Sequence, residues 1–519
     1  MNRVEKSGRR RRGVVETAWL LLVLVIASLL FLARYEARRI SSSGDSMWYM
    51  RQALIFTGKS PDEARIEAAR QVCRDINRSQ RERGIGPSCK EYQSDEISPR
   101  YIGIFDSRPG YPLFAAPFVA VLGAWTGMVA ATMLLAIAAA VLAYLAVWMA
   151  TGLRLAGVLA AGLLFVLPPG FWMTRLLTES GVLAGYLAVI TGVMVTWRGR
   201  TKLGLSTVAV ALVWLFAVRS ASGMAMALTL VGASTVALLV RTPQRRPALA
   251  TGGVGLLAVV AWQVLSVVLS LPGLNETIQD FATTHFARPD IAHLVSWLID
   301  RNIAFWAEQG AAQVPHPEAV VALVFAVVVL VRRMPSVAAL WIFTGLTGVA
   351  MLVAHPVATE YDRLMLPLWI PVACALGDAA ALAVSWARMP DVASPELGAG
   401  PEAVVAASAF CLARCRCGVL YGTLRNKTRY RPPKRLSPGH GFTTTWANPW
   451  LSGCRRCHPA RHGPGGWPAW PGWPQRWRPA TDRGSRRAPP RTRARHRVPW
   501  RCRHGRSATR RCRGLGPTS

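Results

Sequence analysis

Acid is what this chain has least of. Asp and Glu number 27 against 61 Lys and Arg, and charged residues make up only 17% of the 519 positions. A chain of this length leaves room for several charge-covered soluble domains, but its hydrophobic share of 52% is gathered into long runs that soluble cores do not need. Also missing, despite 44 glycines, is a Gly-rich loop of the kind that cradles nucleotide phosphates, so a nucleotide is not an expected ligand. No ionisable residue stands out at the middle of an apolar run, and the halves show no internal relation, which argues against a transporter or flippase.

What is present is a series of membrane-length segments. Runs of about 17 to 25 apolar residues span a bilayer, and ten regions qualify, near residues 17–34, 113–149, 155–169, 180–197, 203–218, 222–240, 248–270, 318–331, 337–354 and 364–387. The second has room for a short re-entrant piece followed by a span. The expected fold is an all-α polytopic transmembrane helix bundle of about ten spans, with interfacial helices on its outer face. Arg9 to Arg12, Arg154, Arg198 with Arg200 and Lys202, Arg241 with Arg245 and Arg246, and Arg332 with Arg333 fall on one side of such a bundle. Short loops rich in Lys and Arg stay cytoplasmic, so the longer loops at 35–111, 168–179, 271–317 and 355–363 face outward. After a basic N-terminus at 1–15, the segment Trp19 to Ala33 reads as an uncleaved anchor, because no clear Ala-x-Ala site follows it; a cleaved signal peptide is the competing reading. Cys73 and Cys89 share the first outer loop, where an oxidising compartment permits a disulfide, although spacing alone does not fix a pairing.

The formal net charge of +34 suggests nucleic acid until it is divided along the chain. From residue 401 onward there are 26 Lys plus Arg against two acids, Glu402 and Asp482, which places +24 there and +10 on the first 400 residues. Seven of the ten Cys lie in the same stretch, and no apolar periodicity continues past about residue 421. Three readings compete: a basic arm for anionic lipid or nucleic acid; a zinc module using Cys415, Cys417, Cys454, Cys457 and His458, whose spacing fits no standard pair of knuckles; and out-of-frame translation of a high-GC gene, which yields Arg, Pro, Gly, Trp and Cys in this way. The last is the expectation adopted for residues 389–519, and nucleic acid is accordingly not an expected partner. Cys454-Arg455-Arg456-Cys457-His458 matches the c-type haem attachment pattern, but within a Cys- and Arg-rich stretch on the cytoplasmic side of this topology.

Residues able to do chemistry crowd the two ends of the first outer loop. One end reads Gly44-Asp45-Ser46-Met47-Trp48-Tyr49 and the other Phe105-Asp106-Ser107-Arg108-Pro109-Gly110-Tyr111-Pro112. Both lie at one membrane face, where an acid and a base can handle a charged headgroup whose lipid tail stays in the bilayer. Asp45 opens a stretch that suits an amphipathic interfacial helix, and its carboxylate can bind a divalent cation or act as a general base; a helix N-cap is the plain alternative. Arg108 suits bidentate contact with phosphate, against ordinary snorkelling of a flanking Arg and Tyr. Thr178-Glu179 begins a span, where an acid is costly unless paired or functional, and Arg175 four residues earlier is a candidate partner. Arg219 and the group Glu360-Tyr361-Asp362-Arg363 also face outward. In the loop 271–317, His285, Arg288, Asp290, His293, Trp297 and Trp306 can line an acceptor site, or simply form an amphipathic helix on the membrane.

The order of these elements resembles the membrane glycosyltransferases of the C superfold, among them the protein O-mannosyltransferases and the lipid A aminoarabinose transferases. The shared features are an early outer-loop Asp with a Tyr four residues on, a basic-Pro-x-Tyr element before the return into the bilayer, Thr-acid after the third span, and Arg-x-x-Leu-Pro-Leu opening the last span. The resemblance covers roughly residues 16–388. It implies transfer of a hexosyl or pentosyl group from a polyprenyl-phosphate donor to a glycan, lipid or protein acceptor at the outer face of a bacterial inner membrane, usually with inversion. Asp45 and Glu179 then correspond to catalytic acids, and Asp106, Arg108, Tyr111, Arg219 and Arg363 to substrate-binding residues, with membrane lipid as the remaining partner. Many members carry an Asp-Glu pair where this chain has Asp45-Ser46, so no cofactor is assigned beyond a divalent cation, Mg or Mn, at Asp45.

Overall fold

The computed structural model describes residues 3–36, 42–82, 84, 86, 89, 97–240, 242, 244–315 and 317–388, without the side chains of 3–12. The expectations for residues 389–519, for Arg241 and for the side chains of Arg9 to Arg12 lie outside the described residues. By contacts the chain divides into a unit Met1–Arg414 and a unit Cys415–Ser519, and every described helix belongs to the first.

The helices in order are α1 (Arg3–Glu36), α2 (Gly44–Phe56), α3 (Pro61–Glu82), α4 (Pro99–Asp106), α5 (Gly110–Leu122), α6 (Ala124–Thr151), α7 (Arg154–Val166), α8 (Pro169–Trp172), α9 (Glu179–Trp197), α10 (Thr201–Val218), α11 (Ser220–Leu239), α12 (Arg245–Val268), α13 (Leu274–Ala282), α14 (Leu294–Gln313), α15 (Glu318–Arg333), α16 (Ala338–Ala354), α17 (Tyr361–Leu364) and α18 (Trp369–Ala387). The fold is all-α, and the protein is a polytopic membrane protein. Among the described residues seven helices are long and apolar enough to cross a bilayer, or eight if α14 and α15, which meet at 94°, form one bent span. The expected ten also counted α7 and α16, shorter apolar helices of 13 and 17 residues that connect the two ends of the bundle. Leu167-Pro168-Pro169 stops α7 because proline lacks the N–H that a continuing helix needs, leaving a rod of ~20 Å. The expected re-entrant piece before the second span is α5, separated from α6 by Gly123 at φ 81°.

The helices alternate in direction, so polar groups sort to two ends. At one end Arg154 pairs with Glu16, and Arg198 donates to the Met149 carbonyl. The short loops bearing Arg200, Lys202, Arg245, Arg246 and Arg332 close that same end. At the other end α1 meets α7 where Arg34 donates to the carbonyls of Phe165 and Val166 at 2.9 and 2.7 Å, and here the long loops gather. One ionisable group departs from the sequence reading: Asp378 lies inside α18, fully buried, and accepts from Arg333 at 3.2 Å. A buried carboxylate within a span is tolerated when paired in this way.

Small residues let the spans approach closely. A methyl added at Gly204 in α10 would lie 2.6 Å from the Gly192 carbonyl of α9 and would collide with Thr196, whereas Gly253 on α12 faces open space. Lipid offers apolar side chains as good a home as protein does, so such close packing is what holds membrane helices together. Gly204→Val is expected to cost about 1–3 kcal/mol by overpacking, read as a lower unfolding temperature in detergent, with Gly253→Ala unchanged. A Gly204→Val protein as stable as the parent would contradict the packing.

Candidate functional site

The four long loops and the helix ends they join converge on Arg363. Its Nη1 donates to Asp45 Oδ2 at 2.7 Å and to Glu360 Oε2 at 3.0 Å, and its Nε donates to Glu179 Oε1. Arg219 Nη2 donates to the same Glu179 oxygen at 2.6 Å and to Thr178 Oγ1 at 3.0 Å. Asp45, Glu179, Arg219 and Arg363, chosen from distant parts of the sequence, thus form one network. Glu179 is 1% and Arg363 8% exposed, while the Asp45 side chain keeps 29% of its surface, so the solvent side of the network is Asp45.

Local structure explains each position. Asp45 and Glu179 both stand in the first turn of a helix, where unpaired backbone N–H groups favour a carboxylate. Asp45 is not the N-cap: Ser43 takes that place, its N–H donating to Ser46 Oγ at 3.0 Å. Nor does α2 lie on the interface as expected. Met47, Trp48, Tyr49 and Met50 are at most 2% exposed, because α2 packs into the core against α3 and α5. The tether before it is held by Asp75 of α3, which accepts from the Ser42 N–H at 3.1 Å and hydroxyl at 2.8 Å. Cys73 and Cys89 form a disulfide with Cα atoms 5.4 Å apart, tying the end of α3 to the following loop.

Arg108 and Arg175 lie beside the network without joining it: among the described residues neither side chain has a hydrogen bond or an ion pair, and the Arg175 Nε is buried without a partner. The expected pairing of Arg175 with Glu179 does not form, because α9 begins only at Glu179 and the helical four-residue spacing does not exist before it. Instead the Arg175 guanidinium stacks on Phe171 and Trp172 at 4.3 and 4.9 Å. Burial, reinforced by the like charge of Arg363, pushes it down to about 10. Arg108 is half-buried and close enough to act electrostatically on His355, as do Arg363, Asp280 and Asp45. Gly110 makes the placement of Arg108 feasible, since a methyl there would sit 2.8 Å from the Ala217 carbonyl carbon, two residues before Arg219.

Two expected contact residues sit elsewhere. Asp106 turns away to Arg51 and Gln52, at 3.1 and 2.9 Å, and straps α4 to α2. Tyr111 is fully buried, its hydroxyl 2.7 Å from Thr132 Oγ1 and its ring edge-on to Tyr49. Sequence reasoning gave no site role to Glu360 and cast Arg175 only as a partner for Glu179. The signal for both was their position in outer loops beside residues that were chosen.

A divalent cation does not fit the residues present. The Arg363 guanidinium occupies the position between Asp45 and Glu360 that a cation would need, and among the described residues no three His, Cys, Asp or Glu side chains are grouped to hold a metal. Behind Glu179 and Arg219 lies a cavity of about 10 Å³, closed by Met351 and Leu364. It has room for about one water, too little for a larger molecule to reach the network from that side. No protein-family model matches this chain, and comparison with curated proteins finds no match.

Breaking the network from inside should be severe. Glu179→Gln leaves two guanidinium groups facing a neutral amide, and loss of a buried partner costs about 3–5 kcal/mol; Asp45→Asn, at a half-exposed position, should cost much less. Thermal unfolding in detergent tests the order of the two, and an equal loss would contradict it. His355 adds a pH dependence. Burial, opposed by Asp280 and Asp45 and assisted by Arg363 and Arg108, holds its imidazole at about 4, below an ordinary value of about 6.5. The unfolded chain then binds a proton that the folded one refuses, so stability is full above about pH 6.5 and falls as pH drops toward 4. Wild-type protein should lose more unfolding temperature between pH 7 and pH 5 than His355→Gln. His285, raised by its hydrogen bond to Asp280, gives the opposite slope, so the comparison must be made in the single variant.

Proposed function

We propose that this protein transfers a glycosyl residue from a polyprenyl-phosphate-linked sugar to an acceptor hydroxyl at the outer face of a bacterial inner membrane. The observation that carries this reading is the combination of a half-exposed carboxylate, Asp45, with two guanidinium groups that meet no anion among the described residues, Arg108 and Arg175. Arg363 and Arg219 are neutralised by carboxylates, whereas the buried Arg175 Nε meets no acceptor and the charge of Arg175 is disfavoured by burial and by Arg363, so a phosphate oxygen is the partner from which it gains most.

Asp45 orients the acceptor hydroxyl and takes its proton as the acceptor oxygen bonds to the anomeric carbon. The bond from that carbon to the phosphate oxygen breaks, its electron pair stays on phosphate, and Arg108 with Arg175 stabilises the charge that develops. Glu179 holds Arg219 and Arg363 in place, and Arg363 in turn aims Asp45. The similarity in motif order to the C-superfold transferases agrees with this assignment, and the lack of a nucleotide loop in the sequence agrees with a lipid-linked donor.

The test is release of polyprenyl phosphate by the protein in liposomes supplied with polyprenyl-phosphate hexoses and pentoses. Asp45→Asn should lower turnover by about 10²–10⁴. Arg108→Ala and Arg175→Ala should each cost about 10²–10³, with Lys at either position restoring part because charge survives while the fork is lost. Near-normal turnover in both Arg→Ala variants would remove the phosphate site. Movement of the lipid-linked sugar across the bilayer without its cleavage would replace the transferase by a flippase.

A further inference from the structure

Joined to α2 through Tyr101, whose ring touches both His285 and Trp48 at 4.5 and 5.8 Å, lies a turn whose backbone is unusual. Thr284, His285 and Phe286 follow one another at φ 56°, 60° and 61°, three non-glycine residues in the left-handed region, one of them β-branched. Such conformations cost roughly 1–3 kcal/mol each and persist only where the surroundings enforce them. Here the surroundings are specific. Thr283 Oγ1 accepts the Phe286 N–H at 3.1 Å. The Arg100 guanidinium of α4 lies over the Phe286 ring at 4.2 Å while bonding Asp290 and Glu276 at 2.9 and 2.7 Å. Tyr101 packs on the His285 ring with centroids 4.5 Å apart.

All of this constraint fixes one imidazole. His285 Nδ1 lies 3.0 Å from Asp280 Oδ1, and its backbone N–H donates to the Asp280 carbonyl at 2.8 Å. Asp280 is 13% exposed and His285 61%, so a shielded carboxylate orients a ring whose other nitrogen is left toward solvent. A base aimed by a third group is the arrangement that proton-transfer catalysis requires. The groups around the ring are Asp280 from α13, Tyr101 from α4, and Asp45 from α2, the last close enough to act on it electrostatically. A surface turn with no task would not gather these contacts around an exposed histidine.

We propose that His285, oriented by Asp280 and Tyr101, is the second proton-handling group of the site, receiving through its Nε2 the proton that Asp45 takes from the acceptor hydroxyl. This rests on the transferase reading above. The proton passes from acceptor oxygen to the Asp45 carboxylate, then to the imidazole, and from the imidazolium to bulk water, which returns both groups to their starting state and consumes nothing. Asp45 cannot hand the proton inward, because its Oδ2 faces the Arg363 guanidinium.

The experiment measures polyprenyl phosphate release between pH 5 and 9 for wild type, His285→Gln, His285→Gly and Asp280→Asn. Neutral imidazole is the active form, so wild-type turnover should fall on the acid side of a limb above the usual histidine value. His285→Gln should lower kcat by about 100-fold with KM little changed, and remove that limb. Asp280→Asn should move the limb to lower pH, and added imidazole should restore turnover to His285→Gly, a result that a merely structural histidine would not give. If His285→Gln keeps kcat within twofold and retains the limb, or if imidazole rescues nothing while wild type is active, this role is wrong and the transferase reading stands. Wild type that cleaves no donor defeats both.

Discussion

Everything at the outer end of this bundle depends on one buried guanidinium. Arg363 holds Asp45, Glu179 and Glu360 at once, and without it the buried Glu179 would be left to Arg219 alone while Asp45 and Glu360 lost their shared cation. Because charge is costly to bury unpaired, the network accepts few arrangements. Its geometry is therefore transmitted: the position of α9 is tied through Glu179, that of α2 through Asp45, and the junction of α10 and α11 through Arg219. The bundle below supplies rigidity by close helix approach, as at Gly192 and Gly204, so the charges meet at fixed distances and do not drift with the loops.

Two further arginines acquire their meaning against that background. Arg219 and Arg363 already take up the carboxylates of the network, and Arg108 and Arg175, which stand beside it without a carboxylate partner among the described residues, come from different loops. Arg175 stacks on aromatic rings, which orients a planar cation without neutralising it. A positive surplus held on preorganised side chains lowers the cost of receiving an anion, because little has to move when it arrives.

Helix class and the sorting of loops to two ends were readable because bilayer thickness and the bias of Lys and Arg act on composition, which a sequence displays directly. Asp45, Glu179, Arg219 and Arg363 were readable for a related reason: a charge beside an apolar run is expensive and so stands out. What the sequence did not disclose was pairing. Arg175 and Glu179 have helical spacing, yet the helix begins too late for it to operate, and Arg219 and Arg363 take the partner from across the fold. Tyr111 looked like an interface residue because Tyr commonly is one, but Thr132 gives its hydroxyl a place in the core. Fewer than ten helices reach full membrane length because α7 and α16 are short, α7 ending where Pro168 and Pro169 follow it. Asp378 was overlooked because a single acid barely lowers the hydropathy of a long apolar window.

The contact between Asp45 and Arg363 joins residues 318 positions apart. A chain threaded into a membrane from its N-terminus therefore displays Asp45 at the bilayer surface long before the side chain that aims it has been made. Glu179 arrives in the interval and meets Arg219 first, 144 residues before Arg363 is made. The network is thus closed by the last insertion event and not by any earlier intermediate, so a stalled or shortened product carries its pieces without the closed network.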